Sequence, residues 1–212
     1  MRKERHRGSR PSNFAKAAMK GALVLAGLAF ATNARAECSR ETLQKLADTY
    51  VQAQKTGKPA QLPLQAGAYY GENNVAGDAA SGILAQPLTV DFTRSFYDTT
   101  QCATFTELVA ASHPHPYVIH TRMEATDKGE VTKLESVVTD ADDWVFGADE
   151  HLTHTRQENW GEIPANRRDR REVLQAAADA YINNWGDPDL PVPHGTPCTR
   201  LEGRIYTGSK DP

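Results

Sequence analysis

The chain has 212 residues, three cysteines and a net charge of −3 that is unevenly spread. Residues 1–36 hold eight Lys or Arg and one Glu, so residues 37–212 carry −10, with 16 basic side chains against 26 acidic. An acidic surface of this kind argues against nucleic acid and anionic membrane as partners, and the size allows one full domain with a proper core and part of another.

The N-terminus reads as a leader. Residues 1–20 are basic, Gly21–Ala31 is an uncharged apolar run, and Ala34-Arg35-Ala36 places small residues at both cleavage-defining positions. Basic, apolar, small is the order of a secretory signal peptide, and the apolar run is too short for a stable bilayer span. The expected mature chain starts at Glu37, is secreted or periplasmic, and has no membrane attachment after cleavage. No Arg-Arg pair precedes the apolar run, so twin-arginine export is not expected. Glu37 stands where a lipidated Cys38 would need a small residue, so no lipid anchor is expected either. An oxidising compartment permits disulfides. Cys38, Cys102 and Cys198 allow three pairings, each leaving one thiol over. Cys38–Cys102 is favoured weakly, as the pairing contained in the first of the two units described below.

From Cys38 to about Lys55 the spacing predicts a helix, with Ser39 as N-cap and Leu43, Leu46, Ala47, Tyr50 and Val51 on one face. A strand is predicted over Ala68–Asn73. Leu88–Tyr97 alternates, with Leu88, Val90, Phe92 and Phe96 on one face. Arg94 falls in that apolar register, either snorkelling at a sheet edge or pointing a charge into a cavity. Residues 116–124 and 130–139 read as a hairpin around a two-residue Lys128-Gly129 turn. The implied register sets Arg122 against Glu135, Glu124 against Lys133 and His120 against Val137, so opposite charges face each other. Asp142–Phe146 is a further short apolar piece, and 148–166 reads as irregular.

The eleven residues 40–50 recur at 171–181. Seven are identical, including Arg40/Arg171, Leu43/Leu174 and Tyr50/Tyr181, where average usage gives roughly one chance match. An offset of 131 residues suits a small domain rather than a solenoid unit. Arg167–Trp185 is then a second helix, with Val173, Leu174, Ala177, Tyr181 and Ile182 inward, and Thr199–Tyr206 a strand. The reading is an internal duplication, with the leader at 1–36, one α+β unit at 37–165 and an incomplete second copy at 166–212. That second copy docks on the first, pairs with another chain (a homodimer being one arrangement), or is a truncation.

Several pieces carry a resemblance. Tyr70-Gly-Glu-Asn73, Pro116–Arg122, Asp143-Trp-Val-Phe146, Ile163–Arg171 and Val192–Gly203 look like an uncharacterised secreted domain family of filamentous fungi and bacteria. Helix first, then a curved antiparallel sheet closed by a hairpin, resembles the cone-shaped fold of the SnoaL-like and nuclear transport factor 2-like families. The resemblance implies an apolar cavity beside the first helix that takes a small apolar molecule without a cofactor. The implied acid/base residues are His120, Glu72, Arg122 and Glu135, with His120 or Glu72 moving a proton and Arg122 holding an oxyanion. The implied ligand-binding residues are Tyr70, Asn73, Tyr50 and Arg94. An isomerase or lyase and a non-catalytic binding module remain open. Five histidines (His113, His115, His120, His151 and His154) fall within 42 residues. Loop histidines are the expected reading there, because converging ligands are not evident, and no metal is expected.

Overall fold

The computed structural model describes residues 38–195 and 198–208. The leader reading of 1–36 lies outside the described residues. Helix α1 spans Arg40–Thr56. Ser39 accepts from the Thr42 backbone N–H at 2.9 Å, an N-cap that satisfies one of the helix's orphan donors. Leu43, Leu46, Ala47, Tyr50 and Val51 are all buried, as the helical spacing requires.

The main sheet has six strands: β1 Leu64–Glu72, β2 Val75–Ala76, β3 Phe92–Asp98, β4 Ala103–Ala110, β5 Tyr117–Ala125 and β6 Val131–Thr139. Their spatial order is β2-β1-β6-β5-β4-β3, a curved, open sheet. Helices α2 (Ala148–Gln157) and α3 (Arg171–Asn183) follow, then a separate hairpin of β7 (Thr199–Glu202) and β8 (Ile205–Gly208). The molecule is therefore mixed α+β.

Several expectations are corrected. The sheet is not purely antiparallel and not closed: β1 runs parallel to β6, which it meets through the long excursion of β3, β4 and β5 rather than a hairpin. The strand expected from Leu88 starts at Phe92, because the preceding backbone serves α1 instead, with Leu88 N–H donating to the Gln54 carbonyl at 3.1 Å. Residues 148–157 are helical rather than irregular. The apolar side of α3 is not inward: Leu174 is 59 % and Ile182 65 % exposed.

The β5–β6 register is the expected one, with Arg122 opposite Glu135 and Glu124 opposite Lys133. The turn differs. Thr126 N–H donates to the Glu130 carbonyl and Gly129 N–H to the Thr126 carbonyl. This is a four-residue turn closed by Gly129 at φ 82°, with a bulge beside Ala125.

One face of the sheet packs on α1. Leu46, Tyr50, Leu108, Ile119, Met123 and Leu134 form the main core. The opposite face is partly covered by α2, where Val109, Val118 and Ala148 pack with Phe92, Phe146 and Leu152. Cys38 and Cys102 form a disulfide that ties the start of α1 to the start of β4. Among the described residues no helix is long and apolar enough to cross a membrane. These features are compatible with an extracellular or periplasmic protein.

Candidate functional site

The sheet register lines up one row of side chains on the α2-covered face. Arg94 on β3 pairs with Glu107 on β4, Glu107 with His120 on β5, and His120 with Val137 on β6. Directly opposed residues sit about 4.5–5.5 Å apart at Cβ, so pairing alone brings three polar side chains together. Helix α2 completes the group from above with His151 and Thr155, spaced one turn apart on its buried side.

Glu107 is the centre and is 5 % exposed. Arg94 donates to its Oε2 through Nε at 3.1 Å and Nη2 at 2.6 Å. Thr155 Oγ1 donates to Oε1 at 2.9 Å. His151 Nε2 lies 2.9 Å from Oε1, and its Nδ1 lies 2.9 Å from the carbonyl of Gly203, in the turn between β7 and β8. Arg94 also reaches Glu158 at 3.0 Å and lies over the Trp160 ring at 4.6 Å.

These contacts fix the charges. Burial works against an ionised Glu107, but the hydrogen bonds from His151, Arg94 and Thr155 outweigh it and lower its pKa to about 2. Burial also works against a charged His151. Both of its ring nitrogens face acceptors, Glu107 and the Gly203 carbonyl, and its pKa is raised. His120 goes the other way: burial lowers its pKa, the attraction of the Glu107 carboxylate works against this without reversing it, and the charges of His151 and Arg94 add smaller lowering effects. His120 is thus a neutral imidazole at pH 7. Neither of its ring nitrogens has a hydrogen-bond partner among the described residues. Its ring stacks on Phe105 at 5.7 Å and meets His151 edge-on at 6.2 Å.

His120 is also the wall shared by two clefts. One, of about 210 Å³, lies over β1, β4, β5 and β6, between Tyr69, Phe105, Arg122, Glu135 and Val137. The other, of about 180 Å³, lies towards Trp144, Phe146, His151 and Leu201. Both are smaller than the ~300–1,000 Å³ of drug-sized sites.

The other expected site residues are distributed differently. Arg122 and Glu135 line the first cleft, but each pairs along its own strand, Arg122 with Glu124 and Glu135 with Lys133 at 2.8 Å. Tyr50, Tyr70 and Glu72 belong to the α1-side face. The Tyr50 hydroxyl is 2.7 Å from Thr121 Oγ1, which is 2.8 Å from Ser136 Oγ, all three buried. The Tyr70 hydroxyl donates to Glu72, which also accepts from Ile83 N–H at 2.5 Å. Asn73 clamps the β6 backbone, accepting from Val138 N–H at 2.8 Å and donating to its carbonyl at 2.9 Å. Arg94 points inward onto Glu107 rather than out to solvent. Among the remaining histidines, His113 meets Thr89, His115 faces Asp140, and His154 stacks on Tyr206.

Glu107, the group that organises the site, escapes sequence reasoning, as does Thr155; His151 stood among the five histidines expected in loops, but it and His154 lie on α2 and His120 lies on β5. The available signal was a carboxylate entering the apolar run Leu108-Val-Ala-Ala111, since a charge at such a place needs partners.

Residues 167–212 match the model of a domain of unknown function, DUF8021. No curated protein matches the chain. The matched stretch contains α3 and the β7–β8 hairpin, and so it contributes Leu201 and Gly203 to the site.

Proposed function

We propose that this is an exported protein that takes a small, largely apolar molecule in the clefts flanking His120, with proton transfer by His120 as its activity. The observation that carries this reading is one side chain: a neutral, unpartnered imidazole at the shared wall of two clefts lined by Tyr69, Phe105 and Val137 on one side and Trp144, Phe146 and Leu201 on the other. A base must be neutral and must reach the proton it takes. The chemistry nearest to hand is removal of a proton next to a carbonyl, without a cofactor, in the manner of the SnoaL-like isomerases and lyases that the helix-then-sheet order resembles. A non-catalytic binding module is the second reading. It is favoured by the separation of Glu72 from His120 on opposite faces and by the local pairing of Arg122 and Glu135.

The test is deuterium exchange. The mature chain is incubated with cyclic ketones in D₂O, and exchange next to the carbonyl is followed by NMR beside saturation-transfer binding. Binding with exchange that is lost in His120→Gln supports the enzyme. Binding without exchange supports the module. No binding by any member of the set overturns both.

The duplication belongs to the same proposal. Helices α1 and α3 begin at Arg40 and Arg171, and the hairpin pairs Glu72↔Val75 and Glu202↔Ile205 stand at a matching offset. The shared order of helix then hairpin supports the reading of a duplicated unit. For export, N-terminal sequencing of protein recovered outside the cytoplasm is expected to begin at Glu37, and a mature protein starting at Met1 would refute it.

A further inference from the structure

We propose that Glu107, His120 and His151 form a three-ligand site for a divalent transition-metal ion of the zinc class. One oxygen of Glu107 and one ring nitrogen of each histidine lie within 4.8 Å of one another. In a tetrahedral zinc site, ligands at about 2.0–2.2 Å from the ion stand roughly 3.4 Å apart. The His151 Nε2 to Glu107 Oε1 distance, 2.9 Å, is already inside that span. The His120 ring has to swing inward off its stack on Phe105, and no hydrogen bond to a described residue holds it back.

The atoms around the three ligands are arranged as metal sites require. A ligating histidine donates its other ring N–H to a carbonyl or carboxylate, which fixes ring and tautomer. His151 Nδ1 does this to the Gly203 carbonyl at 2.9 Å. A ligating carboxylate is itself held by hydrogen bonds. Glu107 has its Oε2 tied by Arg94 Nε and Nη2, while its Oε1 faces His151 and is held by the Thr155 hydroxyl at 2.9 Å. The Arg94 charge is shared with Glu158 at 3.0 Å and does not stand uncompensated beside the cation. Two histidines and one glutamate with a fourth position free is a donor set of catalytic zinc. Here the fourth position would open to the clefts that His120 borders.

The inference goes beyond the proton-transfer reading and constrains it. A lone pair given to a cation is not available to a proton, so in the metal-loaded protein His120 would not be the base; a hydroxide formed by ionisation of water held by the cation would take the proton and become water. Metal-stripped mature protein is titrated with Zn²⁺ by calorimetry and with Co²⁺ by absorption. The expected result is one ion per chain with Kd at or below about 1 μM, and intense visible Co²⁺ bands of a four-coordinate centre. His120→Gln is expected to weaken binding at least ~100-fold while its near-UV circular dichroism stays that of the parent. Glu107→Gln is expected to do the same, and because it disturbs a buried network, the His120 variant is the deciding one. The triple variant His113→Ala, His115→Ala, His154→Ala is expected to bind as the parent does. Failure of the parent to bind at 100-fold higher metal, or binding that survives His120→Gln, overturns the proposal. Ketone exchange by the metal-stripped parent, with no metal binding, would sink the metal site and leave the proton-transfer reading standing.

Discussion

Arg94 is the side chain whose removal tests the buried network most directly. It contacts Glu107 through two nitrogens and is the fixed positive charge beside that carboxylate. Removing one partner of a buried pair costs about 3–5 kcal/mol, because the other charge stays in a poorly solvated site. His151 and Thr155 remain on Glu107 and place the cost at the lower end. The lost stacking on Trp160 adds roughly 0.5–1 kcal/mol. Arg94→Met, which keeps the aliphatic stem, is therefore expected to destabilise by about 3.5–4 kcal/mol, or roughly 7–16 °C in melting temperature for a chain of this size. The assay is urea unfolding followed by tryptophan fluorescence, with calorimetry as a second probe. Glu107→Gln in the Arg94→Met background should cost much less than it does alone, since the two groups share one interaction. A loss below about 1 kcal/mol in Arg94→Met, or additive single-variant losses, would refute the network as a source of stability.

Three further outcomes are expected. The Cys38–Cys102 disulfide closes a loop across 64 positions, so replacing both residues by alanine should cost about 4 kcal/mol on the chain-entropy account, read as a lower urea midpoint insensitive to reductant. Burial raises the Tyr50 pKa to about 12, against a normal 10, so its contribution is complete below pH 10 and is lost as pH rises from 10 to 12. The melting temperature should fall over that window, by up to about 3 kcal/mol in stability from this group, and Tyr50→Phe should flatten the fall. Gly203 has φ +56° and a Cβ there would lie 2.3 Å from the Val145 carbonyl, so Gly203→Ala should detach the β7–β8 turn from α2, seen as increased hydrogen exchange at residues 199–208.

How much of this was legible depended on whether one face of an element meets water. Helix α1 and the β5–β6 hairpin each carry an apolar stripe and a polar stripe, and the facing charges of Arg122–Glu135 and Glu124–Lys133 pin the hairpin register. Strand β4 has no such alternation, because α1 covers one of its faces and α2 the other, and nearly every residue is buried. Glu107 was hidden with it. Helix α2 was missed for a related reason: its buried side presents His151 and Thr155, so the apolar period that marks a helix is broken by the residues that build the site. The parallel β1–β6 pairing joins strands about 60 residues apart and leaves no local signal. The helix over Arg171–Asn183 was legible from its repeat, but the same stripe that is buried in α1 lies exposed in α3, and a stripe says nothing about what covers it.

The position of Gly203 decides whether the DUF8021-matched segment is an appendage or a part of the site. Its carbonyl is the acceptor for His151 Nδ1, the Arg204 N–H donates to the Val145 carbonyl at 3.0 Å, and Tyr206 stacks on His154 at 5.0 Å. A chain ending at 165 keeps the six strands and α2 but leaves one His151 donor without its partner. Orphaning such a group costs about 1–3 kcal/mol, which is roughly 2–12 °C of melting temperature at this size. The longer chain should thus melt higher than 37–165 by that amount while both melt cooperatively, since the core on α1 is common to both. Equal melting temperatures would make the segment an appendage and would free His151 from the constraint that holds its ring towards Glu107. A 37–165 chain that does not melt cooperatively would mean that the core extends into residues 166–212, and the clefts around His120 would then have to be redrawn with α3 included.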